Sequence, residues 1–235
     1  MTTTAQAGEI VRLRAADGHI FDAYLAEPSG RPRGGIVVLM EIFGLTPHLR
    51  GVCDAFARDG YRVIAPAIFD RVEPGAVIPY TPDGLQRALA IKAKHGDWQT
   101  MILDTEAAKT FVASDKTMGA GKVACIGYCF GGSIAWLAAA RSGFDAVVSY
   151  YGGEMTEFLD ITPTCPVVCH IGTADHHLTM AKVGQVQAAY PDLPIHFYDG
   201  AGHGFNCESQ AQRFDPAAAK LARERTLAFL HKHIG

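Results

Sequence analysis

Short, unbroken apolar runs alternate along this chain with longer stretches in which apolar residues recur every three or four positions. Residues 9–27 alternate apolar and polar side chains around "AADGHI", whose Asp-Gly pair is a hairpin signal, so two antiparallel strands at a sheet edge are expected. "GGIVVLM" is continuously apolar, the pattern of a strand buried on both faces. From Pro47 to Asp59, Leu49, Val52, Cys53 and Phe56 fall on one helical face, and "YRVIAP" is then a strand stopped by Pro66. Residues 67–83, rich in proline and glycine, predict a long loop of the kind that often carries function. Helices are expected near 84–95 and 98–113, then strand "KVACIG" with helix 131–141, and strands "DAVVSYYG" and "CPVVCHIG". Helix 179–190, strand "PIHFYDG" and helix 216–233 close the chain. This alternation predicts an α/β fold: a mostly parallel central sheet with an antiparallel N-terminal edge and helices on both faces. No repeat or linker interrupts residues 1–235, which read as a single domain.

Composition narrows the function classes. Among 235 residues, 49% are apolar and 19% charged, with a formal net charge of −3, and no basic stripe suggests a nucleic-acid partner. The N-terminal "MTTTAQAGEIVRLRAADG" lacks the basic start and apolar core of a signal peptide. The most apolar run, "GGIVVLMEIFGL", is too short for a membrane span and contains Glu41, so a cytoplasmic location is expected and no membrane partner. The six cysteines read as reduced thiols, because a chain of this size needs no disulfide staples.

The chemistry concentrates in "KVACIGYCFGGSIAWLAAA", residues 122–140: a strand, a tight Gly-x-Cys-x-Gly bend and a small-residue helix. Such a bend thrusts one side chain outward, and here it is Cys129 rather than the serine usual in hydrolases built this way. Gly127 and Gly131 fit because neighbouring side chains would clash at so sharp a turn. Ligand sites of parallel sheets gather at the C-terminal strand ends, and Asp175 in "GTAD" and His203 in "GAGHGF" both follow such ends. The order nucleophile, acid, histidine is that of α/β-hydrolases.

Each residue type has work to do. A thiol of ordinary pKa is only slightly ionised at neutral pH, an imidazole can hold its proton, and a carboxylate fixes the imidazole's tautomer. The helix beginning near Gly131 turns its positive end toward Cys129. The N–H groups of Phe130 and Ile42 are the expected oxyanion donors. Asp199 also ends a strand and is the rival acid. Glu41, a carboxylate at the end of a buried apolar run, is costly unless paired.

The chain resembles the dienelactone hydrolase family of α/β-hydrolases from about Ile36 to its C-terminus. "MEIFG" (40–44), "GYCFGG" (127–132), "VSYYG" (148–152), "AGHGF" (201–205) and "ERTLAFL" (224–230) carry the likeness. The resemblance implies a Cys-Asp-His triad at Cys129, Asp175 and His203, with Glu41 able to take the cysteine's proton when substrate arrives. It further implies a small-molecule ester or lactone substrate, no cofactor and no metal, with Arg87, Tyr151 and Phe43 as candidate substrate-binding residues. The family's best-known members hold a substrate carboxylate between two arginines. The second of those positions is Cys207 here, and Gln86 and Arg87 stand near the first, so the clamp is at most half present, with Arg50 and Arg71 as possible substitutes.

Other readings are weaker. "DHH" (175–177) and "HKH" (231–233) suggest metal binding, but no Cys-x-x-Cys or His-Glu-x-x-His spacing supports it. "GAGHG" echoes a phosphate loop, yet too little chain follows it for a dinucleotide domain. The principal alternative to a hydrolase is a catalytically lapsed ligand-binding module on the same fold. Either a monomer or a homodimer is compatible with the sequence.

Overall fold

The computed structural model describes residues 7–118 and 121–235. Residues 1–6, part of the stretch read above for a signal peptide, lie outside the described residues. The strands are β1 (Glu9–Arg14), β2 (Ile20–Ala26), β3 (Gly35–Leu39), β4 (Arg62–Pro66), β5 (Val123–Tyr128), β6 (Ala146–Tyr150), β7 (Val167–Gly172) and β8 (Ile195–Tyr198). The helices are α1 (Pro47–Arg58), α2 (Pro82–His95), α3 (Trp98–Ala113), α4 (Phe130–Arg141), α5 (Met180–Ala189) and α6 (Pro216–His233).

One eight-stranded sheet runs in the order β1-β2-β4-β3-β5-β6-β7-β8. β1 and β2 pair antiparallel, as do β2 and β4, and every other neighbouring pair is parallel. This is the α/β architecture with an antiparallel edge that the apolar pattern predicts. β3 and β5 lie at its centre and are buried along their whole length, which explains their unbroken apolar character. α4 is buried on nearly every side, with Ile134, Trp136 and Leu137 wholly inaccessible. Each such side chain contributes about 1.5–3 kcal/mol of burial, so the segment following Cys129 is anchored in the core.

The helix starts follow local chemistry. The Thr46, Thr81 and Asp215 side chains accept backbone N–H bonds at the N-termini of α1, α2 and α6, each followed by proline. That cap places the start of α2 at Pro82, two residues before the expected position. Gly96 ends α2 in the left-handed region, at φ 56°.

The segment 67–83, expected to be a loop, contains a short 3-10 helix (Ile68–Arg71) and is pinned to the Glu41–Gly44 turn. Gly44 and Val77 form an isolated antiparallel bridge, and Ile78 N–H donates to Phe43 O at 2.9 Å. The Asp70 carboxylate accepts from the N–H groups of Asp22 and Gly75, satisfying a turn that hydropathy alone leaves open.

Candidate active site

β5 ends at Tyr128 and α4 begins at Phe130, so Cys129 alone makes the bend. It adopts φ 55° and ψ −117°, a conformation that costs of order 1–3 kcal/mol for a non-glycine residue. The crossing is possible only because its neighbours are bare: a Cβ on Gly127 would sit 1.9 Å from Gly131 O, and one on Gly131 would sit 2.4 Å from Leu39 O. Cys129 N–H donates to Tyr150 O at 3.0 Å, tying the bend to the next strand. The N-terminus of α4, with its partial positive charge, faces the residue.

The structure brings the three residues predicted from the sequence together. His203 Nε2 lies 3.1 Å from Cys129 Sγ, and His203 Nδ1 lies 2.8 Å from Asp175 Oδ2. Asp175 has no accessible side chain, and its other oxygen accepts from the N–H groups of His177 (2.7 Å) and Leu178 (2.9 Å). One oxygen is thus fixed by the turn and the other is left to the imidazole. Burial opposes ionisation of Asp175, but the bonds to His203 and the backbone outweigh it and hold its pKa below the ordinary value. Burial likewise opposes charge on His203, and the neighbouring Cys129 and Asp175 overcome it, raising its pKa to about 10. The rival acid, Asp199, is exposed and accepts from Thr173 Oγ1 at 3.2 Å instead.

Phe130 and Ile42 are both buried beside the bend. Their N–H groups enter none of the turn and loop hydrogen bonds among the described residues. Glu41, 6% exposed, accepts from Tyr80 Oη at 3.1 Å, and Tyr80 Oη is itself 3.1 Å from Thr46 Oγ1. Burial raises the pKa of Glu41 despite that bond and the nearby His48, His203 and Arg213. Cys207, at the position of the missing arginine, is wholly buried, and burial and Glu41 push its thiol pKa up.

The remaining sequence candidates divide. Phe43 packs on Tyr80 with ring centroids 4.6 Å apart, and both line a hollow of about 630 Å³ with Leu85 and Arg213. Tyr151 packs edge-on to His203, centroids 5.1 Å apart. Arg87 pairs with Glu73 with its side chain half exposed, and does not line this hollow. Arg50 donates to Leu45 O, and Arg71 is locked between Asp17 and Asp104.

Sequence reasoning missed several neighbours. His177 meets His203 edge to face at 4.7 Å, and both line a second hollow of about 440 Å³. Arg213 lines both hollows and lies close enough to Glu41 to favour its charge. Glu154 pairs with Lys92 and accepts from Ser133 Oγ (2.8 Å), while Lys92 Nζ stands 4.9 Å from the Phe130 ring centre. A carboxylate after the "YGG" strand end was a signal for Glu154 of the same kind that marked Glu41. "QAQRFDP" held none for Arg213. Among the described residues no three His, Cys, Asp or Glu side chains gather as metal ligands, and no helix is long and apolar enough to cross a membrane.

The chain has relatives among known proteins. The model of the dienelactone hydrolase family matches residues 21–234. The chain is 32% identical over 228 residues to a carboxymethylenebutenolidase from Pseudomonas putida, covering 94% of this chain and 95% of that protein. It is 30% identical over 226 residues to carboxymethylenebutenolidase 1 from Cupriavidus pinatubonensis, covering 94% and 95%. Among solved structures, a dienelactone hydrolase-like promiscuous phosphotriesterase from metagenomic libraries superposes with a TM-score of 0.79 at 19% identity, covering 98% of this chain and all of that one. An esterase from Thermogutta terrifontis gives 0.66 at 14% identity, covering 98% and 96%. At such identities these two likenesses show the fold, the α/β-hydrolase fold.

Proposed function

The chain belongs to the dienelactone hydrolase family, and on that premise we propose that it hydrolyses activated esters or lactones with Cys129 as nucleophile. The observation that carries this reading is the unbroken contact from Cys129 through His203 to Asp175.

In this mechanism the Cys129 proton resides on His203, leaving a thiolate beside an imidazolium. The thiolate attacks the carbonyl carbon, and the C=O electron pair moves onto oxygen, where the N–H groups of Phe130 and Ile42 receive it. As the carbonyl re-forms, the C–O bond to the leaving group breaks and His203 gives it the proton. The product of this half-reaction is an S-acyl-enzyme. His203 then takes a proton from water, the hydroxide adds to the thioester, and collapse returns thiolate and carboxylic acid.

Glu41 serves as a second proton acceptor for Cys129. Burial raises its proton affinity toward that of a thiol, which makes the transfer less uphill than to an ordinary carboxylate.

The thiol also restricts the substrate. A thiolate departs from a tetrahedral adduct more readily than an alkoxide, so adducts of unactivated alkyl esters revert. Enol lactones and aryl esters, whose leaving oxygens carry delocalised charge, go forward. With Cys207 in place of one clamp arginine and Arg87 paired to Glu73, a carboxylate on the substrate is not obligatory.

The test is turnover of an aryl ester and its matched alkyl ester by the wild type and by Cys129→Ala. The aryl ester should be preferred, and the variant should lose activity by about 10³-fold or more. Wild-type activity in the variant removes Cys129 from the mechanism.

A further inference from the structure

Among the described residues, two that are not glycine have positive φ, and they are neighbours in space: Cys129 at 55° and Tyr151 at 40°. Each immediately follows a strand, and the preceding residues, Tyr128 and Tyr150, face one another in the β5–β6 register. Strain at Cys129 presents the sulfur. Nothing in the reaction described above accounts for strain at Tyr151.

The Tyr151 backbone is held by its N–H bond to His170 O at 2.9 Å. Its ring is wedged by His203 (5.1 Å between centroids), Phe205 (5.4 Å) and Tyr150 (6.0 Å). The residue is 1% exposed, yet its hydroxyl is buried with no hydrogen-bond partner among the described residues. An unsatisfied buried hydroxyl costs about 1–3 kcal/mol. Adjacent Tyr150 shows the ordinary arrangement, its hydroxyl 2.7 Å from Thr226 Oγ1. Phenylalanine would fill the Tyr151 space equally well without that cost, so packing does not explain the oxygen.

The surroundings of the hydroxyl point to its use. Burial keeps it neutral, and Glu41, Tyr128, Cys129 and Cys207 are nearby groups that reinforce this. It is therefore a donor among the side chains around the reacting sulfur, edge-on to the imidazole paired with that sulfur. Strain and an orphaned polar group at one residue are what a site prepared for an absent partner would show.

We propose that the Tyr151 hydroxyl donates a hydrogen bond to a substrate oxygen on the carbon that Cys129 attacks. The inference rests on Cys129 being the nucleophile. No proton leaves the tyrosine: its O–H, unpaired in the free enzyme, is paired when an ester or lactone binds, and the bond strengthens as that oxygen gains charge. The energetic cost is met in the free enzyme and recovered in the transition state.

Tyr151→Phe tests this, since it removes only the oxygen. Expected are a fall in kcat of about 10- to 100-fold for an aryl ester with little change in KM, and a melting temperature equal to or above that of the wild type. The rate at which a small neutral disulfide modifies Cys129 should be unchanged, because that reagent has no carbonyl oxygen and reports only the sulfur and His203. Wild-type kcat in Tyr151→Phe overturns the proposal. So does a lowered melting temperature, failure to fold or slowed thiol modification, each of which would make the hydroxyl a structural group. Cys129→Ala, assayed in parallel, separates the two readings: its retention of activity would defeat the nucleophile assignment itself, whereas its loss beside an unimpaired Tyr151→Phe would defeat the tyrosine's role alone.

Discussion

His203 presents Nε2 to the sulfur of Cys129 across 3.1 Å, so one proton can serve both atoms without rotation of either side chain. The pair is set by rigid elements: a helix buried in the core holds the cysteine, and a turn at the end of β8 holds the histidine. Such preorganisation is what the proposed nucleophilic role of Cys129 requires.

Stability should carry the signature of this pair. The folded pKa of His203, about 10, exceeds its ordinary 6.5, so the protonated imidazole favours the folded state. That contribution is fully present below pH 6.5 and is lost as pH rises toward 10. The wild-type melting temperature should therefore fall more steeply across this window than that of His203→Gln. Parallel profiles would show that the histidine gains no charge partner on folding.

Glu41 has the opposite sign. Its folded pKa is raised by burial, so the penalty for its ionisation is absent below the ordinary value of 4.5 and grows as pH rises through the folded value. Glu41→Gln keeps an acceptor for Tyr80 and removes that penalty. At pH 8 the variant should be more stable than the wild type, converging with it near pH 4. Its aryl-ester turnover should drop. Loss of stability at pH 8 would contradict the reading of Glu41 as a strained, functional carboxyl.

Much of this was legible in the residues. The glycines flanking Cys129, the Asp and His after later strand ends and the unbroken β3 and β5 runs all act locally, through backbone geometry or burial, and so leave a mark on the sequence. The partners of Glu41, Arg71 and Glu154 did not, because Tyr80, Asp104 and Lys92 reach them only through tertiary packing. The 3-10 turn in 67–83 was hidden for the same reason: its order comes from the Glu41–Gly44 turn and from β2, far away in the chain. Arg87, placed near the substrate by rough correspondence along α2, turns outward to Glu73.

Arg213 lines both hollows, the smaller of them together with His203. It should attract an anionic substituent. For a pair of aryl esters differing by one carboxylate, Arg213→Ala should raise the KM of the anionic ester about fivefold more than that of the neutral one, less at high salt. An equal effect on both would leave the arginine without a role in charge selection.

Lys92 stands over the ring of Phe130, the residue that follows the bend, and pairs with Glu154. Burial works against the Glu154 charge, and Lys92 with Ser133 outweighs it, so the carboxyl pKa is lowered. This contributes stability above the ordinary value of 4.5 that is lost as pH falls through the lowered value. With both side chains about a quarter exposed, Lys92→Met should cost about 1–2 kcal/mol at pH 7 and less at acid pH, read from urea unfolding. A cost that does not shrink in acid would assign the loss to packing rather than charge.

The most direct measurement is of the covalent intermediate. Wild-type protein mixed with a slowly turned-over aryl ester, quenched in acid and digested, should yield the acyl mass on the peptide containing Cys129, released by hydroxylamine as expected for a thioester. Turnover with the acyl group found on another residue, or an adduct that forms equally in Cys129→Ala, would contradict a sulfur nucleophile at the end of β5.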